Sequence, residues 1–254
     1  MARNAAAARN AASTRLKVSV PHCIYFDGVN DYVDLGADFI GTPELTIEVL
    51  VKLEGAGGSS SGRILENGKC NLLVAGAGQV YFYSDGATDA ISSPGEIALD
   101  NSRWDHIIIT RTVAGAANIY VNGSLTPSGG QQASGTPAAG TTNVRLGDRV
   151  AGARTLDGKM VEFRIWDKIL HLDDIAIHFT NARDITCINT AACTYAANCL
   201  VHFPMLEGSG IKLVDASGHG RTGSFRGAGE PAWSTDTDGI SVLRPTASAR
   251  SAVA

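Results

Sequence analysis

Residues 103–123 read RWDHIIITRTVAGAANIYVNG. Two strand-like runs, His106–Arg111 and Asn118–Asn122, flank the small residues Val113–Ala117. Ile107, Ile108 and Ile109 are consecutive, and β-branched side chains fit and stiffen a pleated surface. A run apolar at both parities predicts a strand covered on both faces. Asn122-Gly123 closes the stretch with a type I′ hairpin signal, because both residues tolerate positive φ. The stretch predicts a meander of antiparallel strands at the centre of a sheet.

Strand-like patterns continue on both sides. Upstream lie Lys17–Val20, Cys23–Phe26, a turn over Asp27–Asp31, Tyr32–Leu35, and Leu45–Leu53 with apolar residues at alternate positions. Arg63–Glu66, Asn71–Ala75, Gln79–Ser84 and the shorter Ile97–Leu99 follow. Downstream, Val144–Gly147 precedes Lys159–Trp166. Strict alternation would set Met160, Glu162, Arg164 and Trp166 on one face and Val161, Phe163 and Ile165 on the other. One short helix is predicted at Leu172–Phe179, with Asp173 and Asp174 in its first turn, where the helix dipole favours negative charge. After a Thr-, Ala-, Asn- and Cys-rich stretch, Cys199–Met205, Lys212–Asp215 and Thr222–Phe225 read as further strands. The loops Gly55–Gly62 and Thr126–Asn143 are candidates for a binding rim, and a loop of the second one's length is usually functional or disordered. The expected division is an N-terminal arm (1–17), an antiparallel β-sandwich (18–180), a C-terminal appendage (181–245) adding strands to the same domain or packing on a neighbour, and a tail (246–254).

The 254 residues are 44% hydrophobic, 18% charged and include 29 glycines, a balance that suits a single all-β core with many turns. The net charge of −4 and the lack of a basic stripe argue against nucleic acid. The first residues, MARNAAAARNAASTRLK, lack the apolar core of a secretory leader. No run of ~18 apolar residues suggests a membrane helix. The Ala-rich arm, with Arg3, Arg9 and Arg15, is read as an assembly arm. The five cysteines, Cys23, Cys70, Cys187, Cys193 and Cys199, are odd in number and do not read as a secreted disulfide framework. Cys23 and Cys70 fall in strand runs as small buried hydrophobes. The other three stand six apart, which favours a local disulfide over a zinc site.

Four segments in order resemble the laminin-G-like or concanavalin A-like jelly-roll superfamily, in its phage or bacterial branch. They are Tyr25–Gly36 (YFDGVNDYVDLG), Leu45–Lys52, the opening stretch through Trp104, His106, Thr110, Arg111, Tyr120, Val121, Asn122 and Gly123, and Arg145–Phe179 through Leu146, Gly147, Asp157, Gly158, Glu162, Arg164, Ile165 and Trp166. A fifth, Leu200–Gly223, resembles a segment that often precedes the first in that family but follows the sandwich here. His171 stands where the family helix has a Ser or Thr N-cap, a weaker choice. The resemblance implies an antiparallel jelly-roll sandwich with one short helix.

Some relatives with this fold are glycosidases with paired carboxylates on one strand, and retaining hydrolysis needs two carboxyls about 5–5.5 Å apart. Here only Glu162 falls on such a face, since Asp167 has opposite parity, so the chain is read as non-catalytic. Trp104, Glu162 and Trp166 are the ligand-binding candidates, although both tryptophans suit a core equally. Asp27, Asn30, Asp31 and Asp34 form an oxygen-rich group to which calcium is suited. The favoured reading is that Asp27 and Asp31 cap the turn, so no cofactor is assigned beyond that calcium option. Three functions are weighed. The first is a virion structural or adhesion protein, a phage capsid decoration or tail-associated protein made in the host cytoplasm, with major capsid or tail subunits and copies of itself as partners. The second is a lectin-like module binding surface glycans. The third is a glycoside hydrolase.

Overall fold

The chain forms two antiparallel sheets stacked into a sandwich. Its computed structural model describes residues 14–41, 44–126, 135–180, 196–227 and 229–244, with side chains described from His22 to Asp236 apart from Thr88 and Ala196. Arg3, Arg9, Cys187 and Cys193 lie outside the described residues, and Arg15 is described only by its backbone.

In chain order the strands are β1 (Thr14–Asp27), β2 (Tyr32–Asp34), β3 (Leu45–Leu53), β4 (Ser61–Glu66), β5 (Cys70–Ala75), β6 (Gln79–Ser84), β7 (Thr88–Ile91), β8 (Asp105–Arg111), β9 (Ala117–Val121), β10 (Ser124–Leu125), β11 (Arg145–Leu146) and β12 (Asp157–Trp166). Helix α1 (Leu172–Thr180) follows, then β13 (Cys199–Phe203), β14 (Lys212–Val214), β15 (Thr222–Arg226) and β16 (Ala232–Arg244). The first sheet runs β10-β9-β8-β3-β12-β1-β16, with β13 also on β12, and the second runs β14-β15-β2-β11-β4-β5-β6-β7.

The opening hairpin folds for the reasons its sequence gives. Asn122 and Gly123 have φ of 51° and 78°, and Ser124 returns opposite Val121. Gly123 has a second task. A Cβ there would stand 2.7 Å from the Phe179 ring, so only glycine lets α1 close on the hairpin. Every residue of β8 is buried. Ile107 and Ile109 face the main core, whereas Ile108 joins Tyr120, Trp166, Leu170, Ile175 and Cys199 in a second cluster outside the first sheet. Each such aliphatic side chain contributes about 1.5–3 kcal/mol when removed from water. The expected central place is corrected in one respect: β3 and β12 lie deeper in the sheet, and β9 is next to the edge strand β10.

Strand β12 departs from simple alternation. Met160 opposes Val51 and Val161 opposes Leu50, but the next pair is Arg164 with Glu48. Glu162 and Phe163 together span one position of β3, and Glu162 has a φ of 54°. This β-bulge reverses the parity of what precedes it. Met160 therefore faces the core and does not share a face with Arg164 and Trp166. At the same place β12 changes neighbour on its other edge. Its first half pairs with β1 and its second half with β13.

Three more differences have local causes. Ile97–Leu99 is not a strand, and Ala98 N–H donates to Asp105 Oδ2 at 2.8 Å. Strand β7 and the long polar β16 had no alternating apolar signal. Lys17–Val20 and Cys23–Phe26 merge into β1 across Pro21, with one register shift against β16 just before it and one spanning it. These shifts accommodate a residue that has no N–H to donate.

Candidate functional site

The described residues gather charged and aromatic side chains at a pocket at the end of the sandwich and in a closed network outside the first sheet. The pocket encloses about 320 Å³. The segment before β3 supplies Asp38, Phe39, Ile40, Gly41 and Glu44, and β3 supplies Leu45. Asp167 follows β12, Leu200 is in β13 and Arg221 precedes β15. Asp38 Oδ1 accepts from the Ile40 N–H and Asn67 Nδ2, both at 3.0 Å, and its Oδ2 accepts from the Gly140 N–H at 3.0 Å. These bonds fix the segment that presents Phe39. The Arg221 guanidinium lies 4.4 Å from the Phe39 ring centroid, a cation–π stack. Its Nη1 has no hydrogen-bond partner among the described residues. Asp215 holds the Arg221 turn by accepting its backbone N–H at 3.3 Å and the His202 and Ser217 N–H groups at 2.9 Å. Burial opposes ionisation of Asp215, but these bonds keep its carboxyl below the usual range. Asp167 Oδ1 accepts from Asn198 Nδ2 at 2.8 Å. The pocket thus offers an aromatic ring, a guanidinium and carboxylates around Ile40, Leu45 and Leu200.

The closed network centres on Glu48 of β3. Its Oε1 meets His106 Nε2 at 2.6 Å, and its Oε2 meets His178 Nδ1 and Arg164 Nη1, each at 3.0 Å. Arg164 Nη2 donates to Glu162 Oε2 at 2.7 Å, and the same oxygen meets His202 Nε2 at 2.9 Å. None of these six residues is more than 3% exposed. Burial alone would raise the Glu48 pKa, but Arg164 and His178, with the bonds from His106 and His178, hold it well below the carboxylate range. Burial disfavours charge on Arg164 too, yet Glu48 and Glu162 raise its pKa. His178 packs against Trp166 at 5.4 Å and Phe179 stacks on His106 at 6.0 Å between centroids.

The ligand-binding candidates do not form one open site. Glu162 and Trp166 have no exposed surface and Trp104 is 8% exposed within the main core. A saccharide cannot stack on Trp166 or reach Glu162 in this arrangement. In the acidic turn, Asp27 Oδ1 accepts the Val29 N–H at 2.8 Å and Asp31 Oδ2 accepts the Asp27 N–H at 3.1 Å, as turn caps. Asp34 Oδ1 accepts the Gly36 N–H and Asn143 Nδ2. The Asn30 carbonyl lies against Gly227, 2.5 Å from where a Cβ would sit. Burial pushes the Asp31 carboxyl up, against the Asp27 N–H bond. Among the described residues no group of three or more His, Cys, Asp or Glu side chains is placed to hold a metal ion. Cys199, the described member of the Cys triplet, is a buried free thiol whose pKa burial pushes up to about 12.

Phe39, Arg221 and the network around Glu48 were not singled out from the sequence. The network had a signal: charged or imidazole residues set inside the apolar runs LTIEVLVKL, VEFRIW and CLVHF. The pocket had none, because its parts come from four separate segments.

The profile of the concanavalin A-like lectin/glucanases superfamily, Laminin_G_3, matches residues 27–176. Among solved structures, a Bacteroides ovatus protein described as carbohydrate-binding is similar with a TM-score of 0.63 at 18% identity, over 88% of this chain and 62% of that one. The chain therefore spans less than two thirds of that protein's length. The CBM40 of Ruminococcus gnavus IT-sialidase, bound to α2,3-sialyllactose, aligns with a TM-score of 0.46 at 18% identity over 63% of this chain and 98% of that one. Domains LG4–5 of the mouse laminin α1 chain align with a TM-score of 0.44 at 16% identity over 57% and 41%. At these identities the likeness is one of fold. No curated protein matches.

Proposed function

We propose that this chain, which belongs to the concanavalin A-like lectin/glucanases superfamily, is a non-catalytic carbohydrate-binding module whose ligand sits in the end pocket. The observation that carries the reading is the Phe39–Arg221 stack at a pocket of about 320 Å³ ringed by Asp38, Glu44 and Asp167. A sugar presents C–H faces that pack on an aromatic ring and hydroxyls that both donate and accept. The carboxylates supply acceptors and Arg221 supplies donors, the convergent polar groups expected around an apolar floor. The carbohydrate-binding description of the Bacteroides ovatus neighbour agrees with this reading. A glycosidase role is disfavoured because Glu162, the candidate acid, is enclosed with Arg164 and His202. A glycan array with the purified chain tests the proposal, with Phe39→Ala and Arg221→Ala as controls. Binding weakened in both variants is the expected result, and no binding of the wild type to any glycan at high micromolar concentration sinks it.

A second reading, a virion structural or adhesion role as a phage capsid decoration or tail-associated protein, has one observation in its favour. Strands β1 and β16 stay paired back to Thr14 opposite Arg244, beyond where β1 leaves β12. Residues 14–17 of the arm thus form the end of a two-stranded ribbon at the sheet edge. On this reading capsid or tail subunits and copies of the chain are its partners and the virion its location. Particles assembled with a chain lacking residues 1–17 test it. Unchanged incorporation would remove the arm as an anchor.

A further inference from the structure

The outward side of the first sheet carries more charge than a covering helix needs. Glu48 stands on β3, His106 on β8, Glu162 and Arg164 on β12, His178 on α1 and His202 on β13, and all are enclosed. Two carboxylates and one guanidinium leave one negative charge when the three imidazoles are neutral. A single imidazolium balances it. A second gives these six enclosed groups a net positive charge, which burial disfavours.

We infer that this cluster is an acid-responsive latch, which fastens α1 through His178 and β13 through His202 to the first sheet and releases both when it takes up more than one proton. The two elements are placed for it. Among the described strands β13 pairs with β12 alone, on the edge β12 vacates where β1 departs. Helix α1 lies on the same outer face, with Ile175 in the small cluster there. Facing the His202 ring are Glu162 and Arg164 from β12 and Glu48 from β3, while Asp215 from the following turn accepts the His202 backbone N–H. Facing His178 are Glu48 and Arg164, with the Trp166 ring beside it and Asp174 one turn earlier on its own helix. Strand β16 packs against α1, and its charged residues beyond Asp236 are Asp238 and Arg244, whose side chains lie outside the described set. Facing His106 are Glu48 and the Phe179 ring, next to Asp105.

The sign follows from His202. Burial, then Arg164, pushes its pKa down, against the pull of Glu162. The closed form therefore binds fewer protons than the open one below the ordinary imidazole range, and closure weakens as the pH falls. The strained, positive-φ backbone at Glu162 sits where the latch meets the sheet, and strain of this kind persists only where the surroundings hold it.

Hydrogen exchange on the full chain between pH 8 and 5, corrected for intrinsic rates, tests the latch. The expected result is a loss of protection in α1 and β13, up to about tenfold per pH unit for each proton taken up, while β4, β5 and β6 stay protected. His202→Gln or His178→Gln flattens that response. Protection of α1 and β13 that is constant to pH 5, or that falls together with β4–β6, overturns the latch. So does an acid response unchanged in both variants. The wild-type comparison of the two sets of amides stands even where a variant fails to fold.

Discussion

The end pocket and the network around Glu48 are made of the same materials. Each has two or more carboxylates, one arginine and an aromatic ring. In the network the groups sit on strands and a helix, enclosed, with Glu48 and Glu162 bonded to Arg164 and the imidazoles. In the pocket they sit on loops and element ends, and Phe39, Asp167 and Arg221 stay partly open to solvent. The difference teaches what burial does to identical chemistry. Enclosed charges must satisfy one another, so removing one leaves the rest stranded. Partly open charges are solvated and can exchange water for a ligand's hydroxyls.

The largest effect that would sharpen this comparison is Glu48→Ala. It removes the acceptor shared by His106, His178 and Arg164, so a loss of about 3–5 kcal/mol is expected from breaking a buried pair on one side. Asp167→Ala in the pocket should cost under about 1 kcal/mol, as expected of a group partly open to water. Urea denaturation of both variants reads the two numbers, and equal losses would erase the distinction.

Much of the sandwich was legible because β-strands announce themselves through alternation and β-branched residues, as in Leu45–Leu53 and Ile107–Ile109. Asn122-Gly123 named its own turn. Two of the motif residues that carried the resemblance, Asn122 and His106, hold neighbouring strands together. Asn122 accepts the His106 N–H and donates to Asp105 Oδ1, and His106 is tied to Glu48. The bulge at Glu162 was not legible, because one extra residue leaves no mark on a period of two until the partner strand is known. Strand β16 was hidden by its polar run Ser234–Asp238, whose ladder partner, β1, lies at the other end of the chain. The pocket depends on Phe39 meeting Arg221, 182 positions further along the chain, and no local pattern encodes that meeting.

A smaller effect is expected from pH. His202 has a folded pKa below its unfolded one, so the folded state binds fewer protons as the pH falls through the imidazole range. Global stability is then fully present above the ordinary imidazole pKa and declines below it, at no more than about 1.4 kcal/mol per pH unit for one proton. Denaturation midpoints at pH 7.5 and 5.5 for the wild type and His202→Gln measure it. A variant with the wild-type slope would move the cause elsewhere.

Smaller still in stability, but not in binding, are Phe39→Ala and Arg221→Ala. Both side chains are partly exposed, and each variant should unfold within about 1 kcal/mol of the wild type. Affinity for whichever glycan the array identifies should fall about tenfold or more, since a stacked aromatic or arginine anchor usually carries such a share. Isothermal titration separates the two outcomes. Variants that bind as the wild type does would place the ligand elsewhere on the sandwich.

The smallest expected change tests the open side of the comparison from within. Lys168 Nζ stands 3.4 Å from Glu44 Oε2 at the pocket rim, and the two side chains are 48% and 34% exposed. Water and salt screen such a pair, so Lys168→Ala should shift stability by no more than a few tenths of a kcal/mol. Its consequence lies in the pocket. Losing Lys168 leaves Glu44 without its cation beside Asp38 and Asp167, and makes the rim more negative. A neutral saccharide should bind the variant much as it binds the wild type, whereas a uronate or sialylated one should bind more weakly at low salt and regain affinity as salt rises. Titrations at about 20 and 300 mM salt, where screening differs strongly, distinguish the two. A neutral ligand weakened as much as an acidic one would mean that Lys168 touches the sugar itself.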